Sequence, residues 1–216
     1  MGDRWGRNRQ HMKKKNDAQP TPHASQPGPD HSRRSLCHGA LTALAVSPVT
    51  AVLKVDAAPV KPEKLPPQVG DLLAFPSWEH DGRLLTLAAL PADSPPQMVF
   101  PHDASSGITR ERSRLNQILV VRLDQTTLDD KTRARSADGI VAYSGRCTHA
   151  GCGVTDWNSE AGQFICPCHG SEFDPRRAAQ VMNGPATRAL AAIPIAIKGE
   201  HIEVQGPFTG KLGPAK

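Results

Sequence analysis

The chemistry of this chain is concentrated in two short blocks. The first reads Cys147-Thr148-His149-Ala150-Gly151-Cys152, the second Cys166-Pro167-Cys168-His169-Gly170-Ser171-Glu172-Phe173-Asp174. Each block holds two cysteines and one histidine, and together they hold four of the five cysteines in the chain. The pairs Cys147-x-His149 and Cys166-x-x-His169 mix thiolate with imidazole. That division suits a two-iron centre with sulfur on one iron and imidazole on the other. A tetrahedral zinc site also accepts two cysteines and two histidines. Zinc ribbons and fingers, however, usually draw both members of a pair from one residue type. A disulfide framework alone has no use for the two histidines. The mixed pairs favour the iron–sulfur cluster.

These blocks, with the later Gly184-Pro185-Ala186, resemble the Rieske [2Fe–2S] family, most specifically from about residue 140 to 206. The resemblance implies an all-β fold, an antiparallel sandwich with a cluster-binding subdomain at one tip. It implies Cys147 and Cys166 as ligands of the buried iron, and His149 and His169 as ligands of the outer one. Cys152 and Cys168 match the extra pair that forms a disulfide between the cluster loops in one branch of the family. That branch contains the cytochrome bc-type Rieske subunits and the small subunit of arsenite oxidase. Gly184 and Pro185 match the proline loop that covers the cluster. Ser171 matches a hydroxyl that donates to a bridging sulfide in high-potential members, and Phe173 stands where those members have a tyrosine. The resemblance therefore implies a positive potential, below that of a relative with the tyrosine. Ala150 replaces the larger apolar residue common at quinol pockets. That alanine weakens the case for quinol docking, Ile140-Val141-Ala142-Tyr143 and Phe173 lean toward the arsenite-oxidase type, and Gly170-Ser171 leans toward the cytochrome bc type.

A disulfide between the loops implies a mature domain outside the reducing cytoplasm. The N-terminal region agrees. Residues 1–35 carry eight Lys or Arg against three acids, enough to account for the net charge of +5 of the 216-residue chain. The remainder is close to neutral, so no nucleic-acid partner follows from the charge. Residues 1–30 have no apolar period and read as disordered, and Met12 before three lysines is an alternative start. Arg33-Arg34 precedes an apolar run over 36–55 with small residues at Ala51, Ala57 and Ala58, the layout of an export signal. The paired arginines resemble a twin-arginine leader, which suits a chain whose cluster is assembled before export. Leu36-Cys37-His38 departs from that pattern. The expectation is a periplasmic domain with the signal cleaved, and a membrane association only if the run is retained as an anchor.

The expected organisation is residues 1–58 as leader and signal, 59–69 as a Pro/Lys-rich linker, and 70–216 as the domain, its cluster-binding part at about 140–190. Strands are expected at 70–75, 84–90, 117–123, 140–143 and 163–165, and as a hairpin over 193–205. Residues 91–112, with prolines at 91, 95, 96 and 101, read as a long surface excursion. His80, His102 and His201 read as solvated. No general acid, nucleophile or phosphate loop appears elsewhere, so no substrate turnover by the chain alone is expected. The function read from the sequence is an exported one-electron relay. Its partners are a larger redox subunit and a cytochrome or similar acceptor, in an assembly of the arsenite-oxidase kind. A quinol:cytochrome c reductase, with quinol as donor, and a free-standing carrier are the alternatives.

Overall fold

The computed structural model describes residues 59–214, and Arg33, Arg34, Cys37 and the apolar run over 36–55 lie outside the described residues. Among the described residues eleven strands form two antiparallel sheets. β1 (Leu72–Ala74), β2 (Gln97–Asp103), β3 (Ile108–Thr109), β4 (Ile118–Arg122), β5 (Ile140–Ser144), β10 (Ile195–Lys198) and β11 (His201–Val204) form a seven-stranded sheet in the order β10-β11-β1-β2-β4-β5, with β3 beside β2. β6 (Asp156–Asn158), β7 (Gln163–Cys166), β8 (Ser171–Asp174) and β9 (Gln180–Asn183) form the smaller sheet in chain order. The all-β class is thus observed. No helix among the described residues is long and apolar enough to cross a membrane.

β4 and β5 explain why the chain has two cores. Their side chains alternate faces. Ile118, Val120, Ile140 and Ala142 join one apolar cluster, together with Leu73, Val99, Ile193, Ile202 and Val204. Leu119, Val121, Val141 and Tyr143 join the other, together with Phe164, Cys147, Cys166 and Phe173 of the cluster-binding part. Strands from both ends of the large sheet feed the first cluster, so the sheet curls around it. Both faces of β4 and β5 are covered, and a strand covered on both faces reads as a continuous apolar run. The run 117–123 does so.

Two local expectations are corrected. Residues 84–90 form no strand: Leu84 and Thr86 make single bridges to Ala74 and His201, and Leu87–Ala89 is a 3-10 turn. Residues 91–112 are not an excursion, because β2 lies within them, between β1 and β4, with Val99 and Phe100 buried. Proline usually marks an edge or a loop. Pro101 is tolerated here because the Leu73↔Pro101 pair faces without ladder bonds: the Leu73 carbonyl accepts from Leu85 N–H and the Pro101 carbonyl from Arg110 N–H.

The linker segment is tethered to the sheet. Arg110, buried, forks onto Asp71 (Nε to Oδ2 2.8 Å, Nη2 to Oδ1 3.1 Å) and donates to the Pro62 carbonyl, while Asn116 donates to the Leu65 carbonyl. The charge-assisted fork onto Asp71 holds the Arg110 pKa above its ordinary value, against burial.

Candidate metal centre

β5 delivers the chain directly into the first block. The Val154 N–H donates to the Gly145 carbonyl (2.9 Å) and closes the loop at its base, while Cys147 N–H donates to Cys152 C=O (2.8 Å) and Gly151 N–H to Cys147 C=O (3.0 Å). The second block is the turn of a hairpin. Cys166 at the end of β7 pairs with Ser171 at the start of β8, and Gly170 (φ 68°) donates to the Cys166 carbonyl (3.0 Å). Cys152 and Cys168 are joined by a disulfide across the two loops, 16 residues apart in sequence. The sequence reading of that pair, carried by the resemblance, matches the structure.

The disulfide sorts the sulfur donors. The Sγ atoms of Cys152, Cys166 and Cys168 lie within 4.8 Å of one another, but two of them are bonded to each other. Among the described residues Cys147 and Cys166 are the free cysteines, and both are buried. Burial pushes the Cys166 thiol up, opposed by the backbone N–H groups of Cys168 and His169, and the neighbouring Cys147 thiol adds to the rise. The same N–H groups would stabilise an anionic sulfur. His149 and His169 are exposed, their ring centroids 4.7 Å apart at 87°. Sulfur therefore lies inside and imidazole outside, at one tip. Two free thiols and two adjacent imidazoles fit the donor set of a [2Fe–2S] group held asymmetrically.

The surroundings are tightly made. Ser171 is fully buried, and its Oγ accepts from Ala186 N–H at 3.1 Å, so its own proton remains to be donated. Gly184 has φ +83°, and a Cβ there would stand 2.5 Å from Ser171 Cα and 2.7 Å from the Gly170 carbonyl oxygen. Only glycine lets the third loop lie this close across the second. Pro185, next in that loop, is exposed. Phe173 is fully buried in the apolar cluster that includes Cys147 and Cys166.

Several contributors were not legible from the sequence. Thr148, between two expected ligands, donates from Oγ1 to the Arg188 carbonyl (2.5 Å). The Arg188 guanidinium is held by the carbonyls of Lys211 (3.2 Å) and Gly213 (2.7 Å). Arg146 is buried and donates to the carbonyl of Gly151 and to Gln117 Oε1 (3.4 Å). Burial pulls its pKa down, as does the like charge of Arg114, while the cysteines 147 and 166 act the other way. Tyr143 donates to the Pro175 carbonyl at 2.8 Å, and burial pushes its pKa up to about 12. Of the remaining histidines, His102 Nδ1 lies 2.9 Å from Thr109 Oγ1, His201 Nδ1 lies 3.2 Å from the Leu85 carbonyl, and His80 packs edge-on against Phe75. All three are half-buried and engaged, which corrects their reading as solvated.

Comparison with known proteins adds the family. Residues 100–194 match the Rieske [2Fe-2S] domain family. The chain is 38% identical over 100 residues to the cytochrome bc1 complex Rieske iron-sulfur subunit of Streptomyces lividans, covering 45% of this chain and 59% of that protein. It is 41% identical over 98 residues to a putative respiratory nitrate reductase subunit Rieske of Haloferax mediterranei, covering 44% of each. The chain thus spans about three-fifths or less of the length of these relatives. Among solved structures, the plasma membrane Rieske protein of Synechocystis PCC 6803 aligns with a TM-score of 0.33 and 27% identity, over 50% of this chain and 86% of that one.

Proposed function

From the premise that this chain carries a Rieske [2Fe–2S] domain, we propose that it is the one-electron relay subunit of an exported respiratory oxidoreductase. In this reading Cys147 and Cys166 hold the inner side of the cluster and His149 and His169 the outer side. When bound, the cluster takes up and releases single electrons at a potential raised by its imidazole ligands. The chain's own residues create the conditions for that. Phe164, Phe173 and Val154 keep water from the sulfur side. The exposed imidazoles bring the redox centre to the surface, within reach of a partner. The disulfide, the Thr148–Arg188 contact and the Gly184 contact keep the loops in register.

The observation that carries the proposal is the division of four cysteines into a bonded outer pair and a free buried pair, beside two exposed imidazoles. The same disulfide supports a location on the oxidising side of the membrane, reached by the signal around Arg33 and Arg34. The Streptomyces relative, a subunit of a cytochrome bc1 complex, supports a complex of the quinol:cytochrome c reductase type, with quinol as donor and a cytochrome as acceptor. The Haloferax relative, a nitrate reductase subunit, supports only a respiratory complex. A relay of the arsenite-oxidase small-subunit kind is the second reading, and Ala150 and Phe173 support it.

The test is purification of the protein made with functional cluster assembly. A coloured protein with two irons per chain and a reduced-state paramagnetic signal is expected. A colourless protein with bound zinc would end the proposal. Co-purification from native membranes then separates the two readings: a cytochrome b supports the first, a molybdopterin-type large subunit the second.

A further inference from the structure

Arg146 is a buried cation without a carboxylate partner among the described residues. It immediately precedes Cys147, is 7% exposed, and donates to two neutral acceptors, the Gly151 carbonyl and Gln117 Oε1. Every ion pair among the described residues joins other partners, and no carboxylate pairs with Arg146. An uncompensated buried charge is costly. Contrast Arg110, equally buried, whose fork on Asp71 supplies the missing anion. Gln117 is itself buried, and its amide nitrogen donates to Met98 Sδ, so its oxygen is the end turned to Arg146. The amide holds the cation without neutralising it.

We infer that Arg146 is a positioning residue that favours the reduced state of the centre, through a positive charge kept deliberately unpaired behind the first ligand loop. The inference rests on the Rieske reading, and the charge count follows from it. Two ferric ions against two sulfides and two thiolates balance to zero, and neutral imidazoles add nothing. One added electron leaves one net negative charge. A nearby buried cation interacts with the reduced form and hardly at all with the oxidised one. In surroundings less polar than water such an interaction is stronger than it would be in solvent. Arg146 therefore raises the midpoint potential, while its bond to the Gly151 carbonyl fixes the loop that carries His149.

Two substitutions separate charge from tether, and a third needs no change at Arg146. Arg146→Gln removes the charge and keeps an amide donor; Arg146→Lys keeps the charge and loses the fork. Gln117→Glu places a carboxylate on the guanidinium and cancels its charge with the arginine still in place. Midpoint potentials are measured on cluster-loaded protein, with loading established by iron content and the reduced-state paramagnetic signal. Arg146→Gln and Gln117→Glu are expected to weaken electron uptake about tenfold, a drop of about 59 mV for a one-electron couple, and Arg146→Lys to stay near the parent. An unchanged potential in Gln117→Glu, or an equal drop in Arg146→Lys and Arg146→Gln, overturns the inference and leaves the Rieske reading standing. Where Arg146→Gln fails to load, Gln117→Glu alone decides. A parent protein that binds no iron removes both.

Discussion

The backbone N–H of Ala186 donates to the hydroxyl oxygen of Ser171 across 3.1 Å, although 15 residues separate them in sequence. This single bond fixes the hydroxyl of a buried serine, and it turns the serine's proton away from the third loop. The orientation leads to the first prediction. On the proposed Rieske reading the Ser171 hydroxyl donates to the centre, so Ser171→Ala should lower the midpoint potential. A hydrogen bond of about 1 kcal/mol corresponds to on the order of 50 mV in a one-electron couple. Redox titration of the variant, followed by its visible spectrum, checks this. A potential equal to the parent's would assign Ser171 to loop packing alone.

Phe173 offers the complementary test. It is wholly buried beside Cys147 and Cys166 in one apolar cluster. Phe173→Tyr adds a hydroxyl there, and the midpoint potential should rise as that hydroxyl donates to a ligand sulfur. Without such a partner, the buried hydroxyl costs about 1–3 kcal/mol of stability. The titration therefore belongs with a thermal melt: a higher potential at nearly unchanged Tm is the expected pair of results.

Gly184 and Gly107 form a controlled comparison. Both have positive φ, but a Cβ at Gly107 meets nothing within 4 Å, whereas at Gly184 it meets Ser171 Cα at 2.5 Å. Gly107→Ala should cost only the left-handed backbone conformation, roughly 1 kcal/mol. Gly184→Ala must also push the third loop off the second, so its loss should exceed 2 kcal/mol, and the centre should bleach faster in air. Denaturant melts of both variants measure the difference.

Tyr143 is the sole tyrosine of the chain, so its ionisation is read without interference from another phenol. Burial raises its pKa to about 12, from an ordinary value of about 10. A raised pKa means that folding favours the protonated form. The contribution, about 3 kcal/mol at roughly 1.4 kcal/mol per unit, is fully present below about pH 10. It is lost as the pH rises through about 12. Alkaline difference absorption should show no phenolate near pH 10 in the folded protein, with a step near 12. A step at pH 10 in the folded state would mean that the hydroxyl is open to solvent.

The two Cys/His blocks were legible because their residue types and spacings are local to two short stretches, and the Cys152–Cys168 disulfide was legible only through the family resemblance those blocks carry. β4 and β5 were legible as unbroken apolar runs, for the reason that both of their faces are covered. β2 was hidden by its prolines. Pro101 signals a loop unless one knows that Leu73 has turned its carbonyl to Leu85. The supports of the site were hidden for a different reason. Thr148 meets Arg188 across 40 residues, and Arg188 meets Gly213 across 25 more. Neither threonine nor arginine at those positions carries a local signal. Arg146 was the nearest to being readable, since it adjoins Cys147, but its meaning depends on its having no carboxylate partner among the described residues, and absence of a partner has no signature in one sequence.

The Arg188 contact has an implication for biosynthesis. A ribosome releases the chain N-terminus first, so Cys147, His149, Cys166 and His169 all emerge before Lys211 and Gly213. Until those two carbonyls appear, the arginine that buttresses Thr148 has nothing to hold it, and Gly151 lacks the Pro214 ring that lies against it. The metal-binding face is thus finished by the stretch that is synthesised after it, and nicking by a protease near residue 211 would be felt at a loop more than 50 residues upstream.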